Sequence, residues 1–283
     1  MLKTGNIKLS TEDFKRLRDF IYEKSGMFFP DNKAYLIESR LSPRVEEKGC
    51  KTFDEYLVML KRDPASGKEL TTLFDTVTIN ETSFFRDIDQ LDAVLNDTVH
   101  EIMEEKRKKG EKKLRIWSAA SSSGEEPYTI AMYMLDKQAN TAGWDVEVLG
   151  SDISEAVLTA ARRGVYGTYA IKNAPEKYMK RYISSNGDCT YSVRPEVKQM
   201  VRFANINLYD HQKVKMMKGM DLILCRNVLI YFDEVSKRKV ISDLYDFLNP
   251  GGYFVIGRSE SLHNLSRAFR PVNKDKIILY RKI

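Results

Sequence analysis

From Leu114 onward, short apolar runs alternate with helical stretches, and this alternation limits the possible folds more than any other feature of the chain. Such spacing builds a mostly parallel sheet covered by helices on both faces. Strands are expected at Lys113 to Ser118, Val146 to Ser151, Val201 to Asn205, Leu222 to Cys225, Tyr253 to Gly257 and Lys276 to Arg281, with helices starting near Glu125, Ser154 and Glu234. Between Gly167 and Arg202 the chain is too long for a simple crossover. A small antiparallel insertion is expected there, as a hairpin of Cys189 to Val193 with Val197 to Phe203 around Arg194-Pro195-Glu196.

Residues 1–75 read as helices only. Ser10-Thr11 caps a helix in which Phe14, Leu17 and Ile21 share a face, and Gly26 stops it. A second helical pattern runs from about Asn32 to Gly49 and contains Pro43. That proline should kink or split the helix, because it removes a backbone donor and clashes with the preceding turn. Thr52 caps a third helix carrying Phe53, Tyr56, Leu57 and Leu60, and a fourth starts near Ser66 and continues through Leu70, Leu73 and Phe74. The organisation expected is a helical domain over 1–75, a linker over 76–95 and an α/β domain over 96–283, with the insertion near 167–202.

At 283 residues with an ordinary apolar fraction, the chain can build both domains. Its start, Met1-Leu2-Lys3-Thr4-Gly5-Asn6, lacks an apolar signal region, and no later stretch has the roughly 20 apolar residues of a membrane span. A cytoplasmic protein without membrane insertion is expected. Cys50, Cys189 and Cys225 are far apart and unmatched by clustered histidines, which argues against a disulfide framework or a metal site. Cys225 should lie reduced in a buried strand. The formal charge is +6, and the basic run from Lys106 to Arg115 is mixed with Glu104, Glu105 and Glu111. It reads as a solvated helix end rather than a nucleic-acid patch.

An open α/β sheet binds its ligand beyond the carboxyl ends of its strands. After the first strand comes Ser118-Ala119-Ala120-Ser121-Ser122-Ser123-Gly124-Glu125-Glu126-Pro127, a run of small side chains leading into a helix. Small side chains let a ligand approach the backbone, although a tight strand-to-helix turn explains the run equally well. Pro127 fits a first helical turn. Asp152 ends the second strand, where a carboxylate can hold both hydroxyls of a ribose or cap the next helix. The chain shows no phosphate cradle with a lysine, so a nucleoside carrying an amino-acid group fits better than ATP. Arg226 and Asn227 stand at the exit of the buried run Asp221 to Phe232, facing the crevice, and Asn249-Pro250-Gly251-Gly252 turns into the next strand.

Four segments, taken in order, closely resemble the CheR family of chemotaxis receptor glutamate methyltransferases, which depend on S-adenosylmethionine. They are Asn80-Glu81-Thr82-Ser83-Phe84-Phe85-Arg86, Trp117 to Ala120 with Gly124 to Pro127, Gly150-Ser151-Asp152, and Cys225 to Phe232. The resemblance implies a Rossmann-like methyltransferase sheet with an N-terminal all-helical domain and an inserted β-subdomain. It implies a cofactor site of Asn80, Thr82, Arg86, Ala120, Glu126, Asp152, Asn207, Leu208, Arg226 and Asn227. By the same resemblance Asp152 holds the ribose, Asn207 and Leu208 flank the adenine, Arg86 lies near the methionine end and Tyr231 stands close to the transferable methyl. Arg86 and Tyr231 are the candidate catalytic residues. Phe84 and Phe85 read as core packing, and Glu125 as a helix-start charge.

The chemistry suits this inventory. A substrate glutamate, with an unperturbed pKa of about 4.3, is already an anionic nucleophile at neutral pH and needs no general base. None of His100, His211 and His263 falls in a cofactor motif. What remains is alignment in a water-poor site, which can supply roughly 7 to 11 kcal/mol of a barrier.

Lys33, Arg40, Arg44 and Lys48 recur at spacings of seven, four and four, close to one helical face. The resemblance makes this a basic surface that docks the acidic methylation helices of a chemoreceptor, although Glu38, Glu46 and Glu47 are interspersed. The linker Ser184-Ser185-Asn186-Gly187-Asp188 is short beside family members that bind a receptor tail. A monomer without nucleic-acid partner is expected. Two other functions stay open at this point: methylation of another protein or small acid, and a sensor of S-adenosylmethionine without turnover.

Overall fold

The computed structural model describes residues 7–62, 67–137, 141–274 and 277–283. Four helices come first: α1 (Thr11–Ser25), α2 (Ala34–Glu47), α3 (Phe53–Arg62) and α4 (Gly67–Val77). Ser10 and Thr52 accept the amides of Asp13 and Glu55, satisfying donors that have no partner within α1 and α3. Gly26 ends α1 in left-handed backbone, and a Cβ there would meet the Tyr209 ring at 2.5 Å. The helical domain therefore packs on the rest of the chain through a position that only glycine fits. The fourth-helix start at Ser66, the strand start at Lys276 and the leading segment Met1 to Asn6 lie outside the described residues.

Pro43 does not split its helix, and α2 runs unbroken from Ala34 to Glu47. Pro43 and Ser39 are both exposed, so the carbonyl that loses its donor faces water.

The rest of the chain alternates as the sequence spacing predicts. It runs α5 (Ile88–Asp92), a π-helical turn (Ala93–Thr98), α6 (Val99–Lys108), β1 (Lys113–Ala119), α7 (Glu125–Asp136), β2 (Asp145–Asp152), α8 (Glu155–Arg163) and β3 (Val165–Gly167). Next come α9 (Thr168–Ile171), α10 (Glu176–Tyr182), β4 (Ile183–Ser185), β5 (Thr190–Val193), α11 (Pro195–Gln199) and β6 (Val201–Asn205). The chain finishes with α12 (His211–Val214), β7 (Met220–Cys225), α13 (Glu234–Phe247), β8 (Leu248–Ile256), β9 (Phe269–Lys274) and β10 (Ile277–Lys282).

The large sheet has the order β6-β2-β1-β7-β8-β10-β9. Its first five strands are parallel, and β10 and β9 are antiparallel additions at one edge. The chain moves outward from β1 to β2 and β6, then returns to the other side of β1 as β7. That reversal opens a crevice at the carboxyl ends of β1 and β7, where ligands of such sheets bind. Side chains alternate along β7: Leu222 and Leu224 join one core, and Ile223 and Cys225 the other. The helical domain supplies Phe14, Leu17, Ile37 and Leu41 to the second core, which places it against one face of the sheet.

The insertion differs from its expected form. A three-stranded sheet of order β3-β5-β4 is present, but its hairpin joins β4 to β5. Pro195 begins α11 instead of forming a turn, because a first helical position needs no amide donor. Residues 201–205 accordingly belong to the large sheet, as β6 beside β2. The sequence pattern gives no sign of β9, whose Pro271 is tolerated on an edge strand. Among the described residues, no helix is long and apolar enough to cross a membrane.

Candidate active site

A cavity of about 250 Å³ occupies the crevice. At the exit of β1, Ala120, Ser122 and Gly124 adopt left-handed backbone with φ of 61°, 49° and 93°. This folds the small-residue run tightly enough for the Ser121 amide to donate to the Ser151 carbonyl at 2.7 Å, and for the Ser122 amide to reach Oδ2 of Asp152 at 2.8 Å. Oδ1 of Asp152 accepts from the Ser154 amide at 3.0 Å. Both carboxylate oxygens are thus fixed by backbone amides while each keeps acceptor capacity. Burial pushes the Asp152 carboxyl up from its ordinary pKa, opposed by the Ser154 and Ser122 amides, which favour the charged form. Capping of α8 falls instead to Ser154, which accepts the Val157 amide.

The segment Asn80 to Arg86 lies across this exit. The Ser122 hydroxyl donates to the Asn80 carbonyl at 3.1 Å. Below it, the Phe84 amide bonds the Ala170 carbonyl and the Phe85 amide bonds the Thr129 hydroxyl. Both phenyl rings are buried, Phe84 against Tyr166 and Phe85 against Tyr178. The rings anchor the segment so that Asn80, Thr82 and Arg86 reach the cavity. Nη1 of Arg86 donates to the Glu81 carbonyl at 2.9 Å.

At the exit of β7, Arg226 reaches four partners. It donates to Oε1 of Gln90 at 2.8 Å, Oε2 of Glu126 at 2.6 Å, Oδ2 of Asp87 at 2.8 Å and the Arg86 carbonyl at 3.0 Å. Glu126 also accepts from the Ser118 hydroxyl at 2.7 Å. This network joins β1, β7, α7 and the segment carrying Arg86. Beyond β6, Nδ2 of Asn207 donates to the Lys24 carbonyl at 2.6 Å, binding the cavity wall to the helical domain. Tyr231 sits in a short 3-10 turn, and its carbonyl accepts the Phe28 amide at 2.9 Å. Burial raises the Tyr231 hydroxyl pKa, against the pull of the Arg86 and Arg40 charges.

Asn80, Thr82, Arg86, Ala120, Glu126, Asp152, Asn207, Leu208, Arg226, Asn227 and Tyr231 all line this cavity. His100, His211 and His263 do not. Lys33, Arg40, Arg44 and Lys48 lie outside it and do not form one free face. Arg44 and Lys48 bond the buried Glu69 of α4 at 2.5 and 2.8 Å, and Arg40 donates to the Val77 carbonyl at 2.8 Å. Spacing along one helix could not show that α4 places a carboxylate opposite them.

Sequence reasoning missed Asp87, Gln90 and Glu260, which support the lining from behind. Gln90 is buried beside Leu91 in α5, and a buried amide needs partners, but a short helix of mixed polarity gives no sign of that burial in the sequence. Glu125 begins α7, as its reading as a helix-start residue expects, and it is buried there. Burial lifts its carboxyl to about 6, opposed by the Ser123 hydroxyl.

Two family models match the chain: "CheR methyltransferase, all-alpha domain" over residues 12–78, and "CheR methyltransferase, SAM binding domain" over residues 80–278. Chemotaxis protein methyltransferase 2 of Vibrio cholerae is 38% identical over 265 residues, covering 94% of this chain and 91% of that protein. The chemotaxis protein methyltransferase of Borreliella burgdorferi is 37% identical over 259 residues, 91% of this chain and 90% of its own length. That of Vibrio parahaemolyticus is 36% identical over 282 residues, 97% and 98% of the two chains.

Proposed function

Because the chain belongs to the CheR methyltransferase family, we infer that it is an S-adenosylmethionine-dependent protein methyltransferase that esterifies glutamate side chains on the cytoplasmic helices of chemoreceptors, for adaptation in chemotaxis. The observation that carries this reading is the single cavity that gathers Asp152, Asn207, Arg86 and Tyr231 at the switch point of the sheet.

The lining fits a nucleoside bearing an amino-acid group. Asp152 offers acceptor lone pairs to ribose hydroxyls, and Ile153, Ile206 and Leu208 add apolar wall suited to a base. S-adenosylmethionine supplies, when bound, a methyl on a positively charged sulfur. Arg86 aligns the acceptor carboxylate through parallel donors, which fix its plane as well as its distance. Tyr231, with its hydroxyl pKa raised by burial, stays protonated at neutral pH and acts as a donor rather than a base. No base is required, because the acceptor glutamate is already ionised. Of the four basic residues, Lys33 is left for receptor docking, since Arg44 and Lys48 are held by Glu69 and Arg40 by the Val77 and Thr78 carbonyls.

The test incubates the protein with radiolabelled S-adenosylmethionine and membranes containing chemoreceptors, then releases methanol with alkali. Base-labile label on the receptor, lost with Asp152→Ala, is the expected result. Cofactor binding with no label on any receptor would overturn the acceptor assignment.

A further inference from the structure

The geometry points to Glu260 as a positioning residue for the Asn227 to Tyr231 wall of the cavity, an inference that rests on the methyltransferase reading above. Glu260 lies in the bend after β8 and is absent from the cavity lining. Its Oε2 accepts two backbone amides, that of Gly257 at 2.7 Å and that of Asn227 at 2.9 Å. These residues stand just past the ends of β8 and β7, whose last residues, Ile256 and Cys225, are paired in the sheet. One carboxylate oxygen therefore closes two neighbouring strand ends at the edge where the cavity opens.

Three features make this more than an ordinary loop bond. Asn227 is held in left-handed backbone at φ 59°, a conformation that L side chains resist, and it lines the cavity. The Glu260 bond fixes the amide at the centre of that turn. The chain then passes directly into the 3-10 turn of Tyr231, whose amide donates to the Val228 carbonyl at 3.1 Å. Second, a Cβ at Gly257 would meet Oε2 of Glu260 at 2.8 Å and the Asn227 amide nitrogen at 3.0 Å, so the backbone there is shaped around the carboxylate. Third, Oε1 of Glu260 is buried, with no hydrogen-bond partner among the described residues.

Reach and charge can be separated. Glu260→Asp keeps the charge but withdraws the oxygen by one methylene, so it cannot serve both amides. Glu260→Gln loses the charge but keeps a carbonyl oxygen in place. Both full-length variants are compared with wild type at a temperature where all three are folded. The readouts are the Kd for S-adenosylhomocysteine by calorimetry, and kcat and KM for receptor methylation. Glu260→Asp should weaken S-adenosylhomocysteine binding and lower kcat by about 10- to 100-fold, the scale of an ångström-sized misplacement. Glu260→Gln should stay close to wild type in both. A role in stability alone would move the melting temperature and leave Kd and kcat unchanged, which overturns the inference. Full activity in Asp with loss in Gln would also overturn it, because charge would then be the cause. If wild type itself neither binds S-adenosylhomocysteine nor labels receptor, the methyltransferase reading fails instead.

Discussion

Nη1 of the buried Arg226 stands 2.6 Å from Oε2 of the half-buried Glu126, an ion pair between residues 100 positions apart. It ties the exit of β7 to the first turn of α7, and Asp87 is a second carboxylate on the same guanidinium at 2.8 Å. Arg226→Ala would leave two carboxylates facing each other and Gln90 without its donor. Removing one partner of such a pair costs about 3–5 kcal/mol. The melting temperature should fall by roughly 10 °C, and S-adenosylhomocysteine affinity should fall with it. An unchanged melting curve would remove Arg226 from its place as the hub of the site.

Arg86 has a simpler surrounding, and the contrast is useful. Its described bond runs from Nη1 to the exposed Glu81 carbonyl, which leaves further donors for a carboxylate. Arg86→Lys keeps the charge but loses the planar fork. Methyl transfer should drop by about tenfold or more, equivalent to about 1.4 kcal/mol of transition-state stabilisation. The melting temperature should hardly move. Turnover near wild type would show that Arg86 does not align the acceptor.

What the sequence made legible was position along the chain, and what it hid was direction across it. The Ser118 to Pro127 run and Asp152 could be placed because strand tips are recognisable from the apolar run that precedes them. The Arg226 side chain could be placed at a strand exit for the same reason, but not its turn back toward Glu126, Asp87 and Gln90. Helical spacing put Arg40, Arg44 and Lys48 close to one face, yet only the packing of α2 on α4 reveals Glu69 opposite. The sequence pattern puts Pro195 in a hairpin turn, whereas it begins α11, and residues 201–205 pair with β2.

Glu69 gives the helical domain an acid-sensitive lock. Burial alone would raise its carboxyl, but bonds from Arg44, Lys48 and Tyr56 carry it down to about 2. A folded pKa below the unfolded value near 4.5 means stability that is fully present above pH 4.5 and lost as pH falls through 2. The contribution at neutral pH is on the order of 3 kcal/mol. Glu69→Gln should therefore be less stable than wild type at pH 7, with the gap closing toward pH 2. Denaturant titrations across that window check it, and a gap that does not narrow would place the stabilisation elsewhere.

Glu125 should behave in the opposite sense. It lies at the start of α7, its two oxygens accepting from the Ser123 hydroxyl at 3.0 and 2.8 Å, with the buried Tyr166 ring close enough for its charge to be felt. Burial lifts its carboxyl to about 6, above the unfolded value of 4.5. The stability linked to this group is then fully present below pH 4.5 and lost as pH rises through 6, a loss of about 2 kcal/mol. Glu125→Gln stays neutral throughout and still offers an oxygen to Ser123. It should match wild type below pH 4.5 and exceed it by about 1–2 kcal/mol at pH 8, measured by urea unfolding at the two pH values. Because Ser123 and Gly124 continue directly from the Ser122 turn, the same variant should leave the fold of that loop intact. An equal difference at both pH values would mean that the Glu125 carboxylate is not the group under strain.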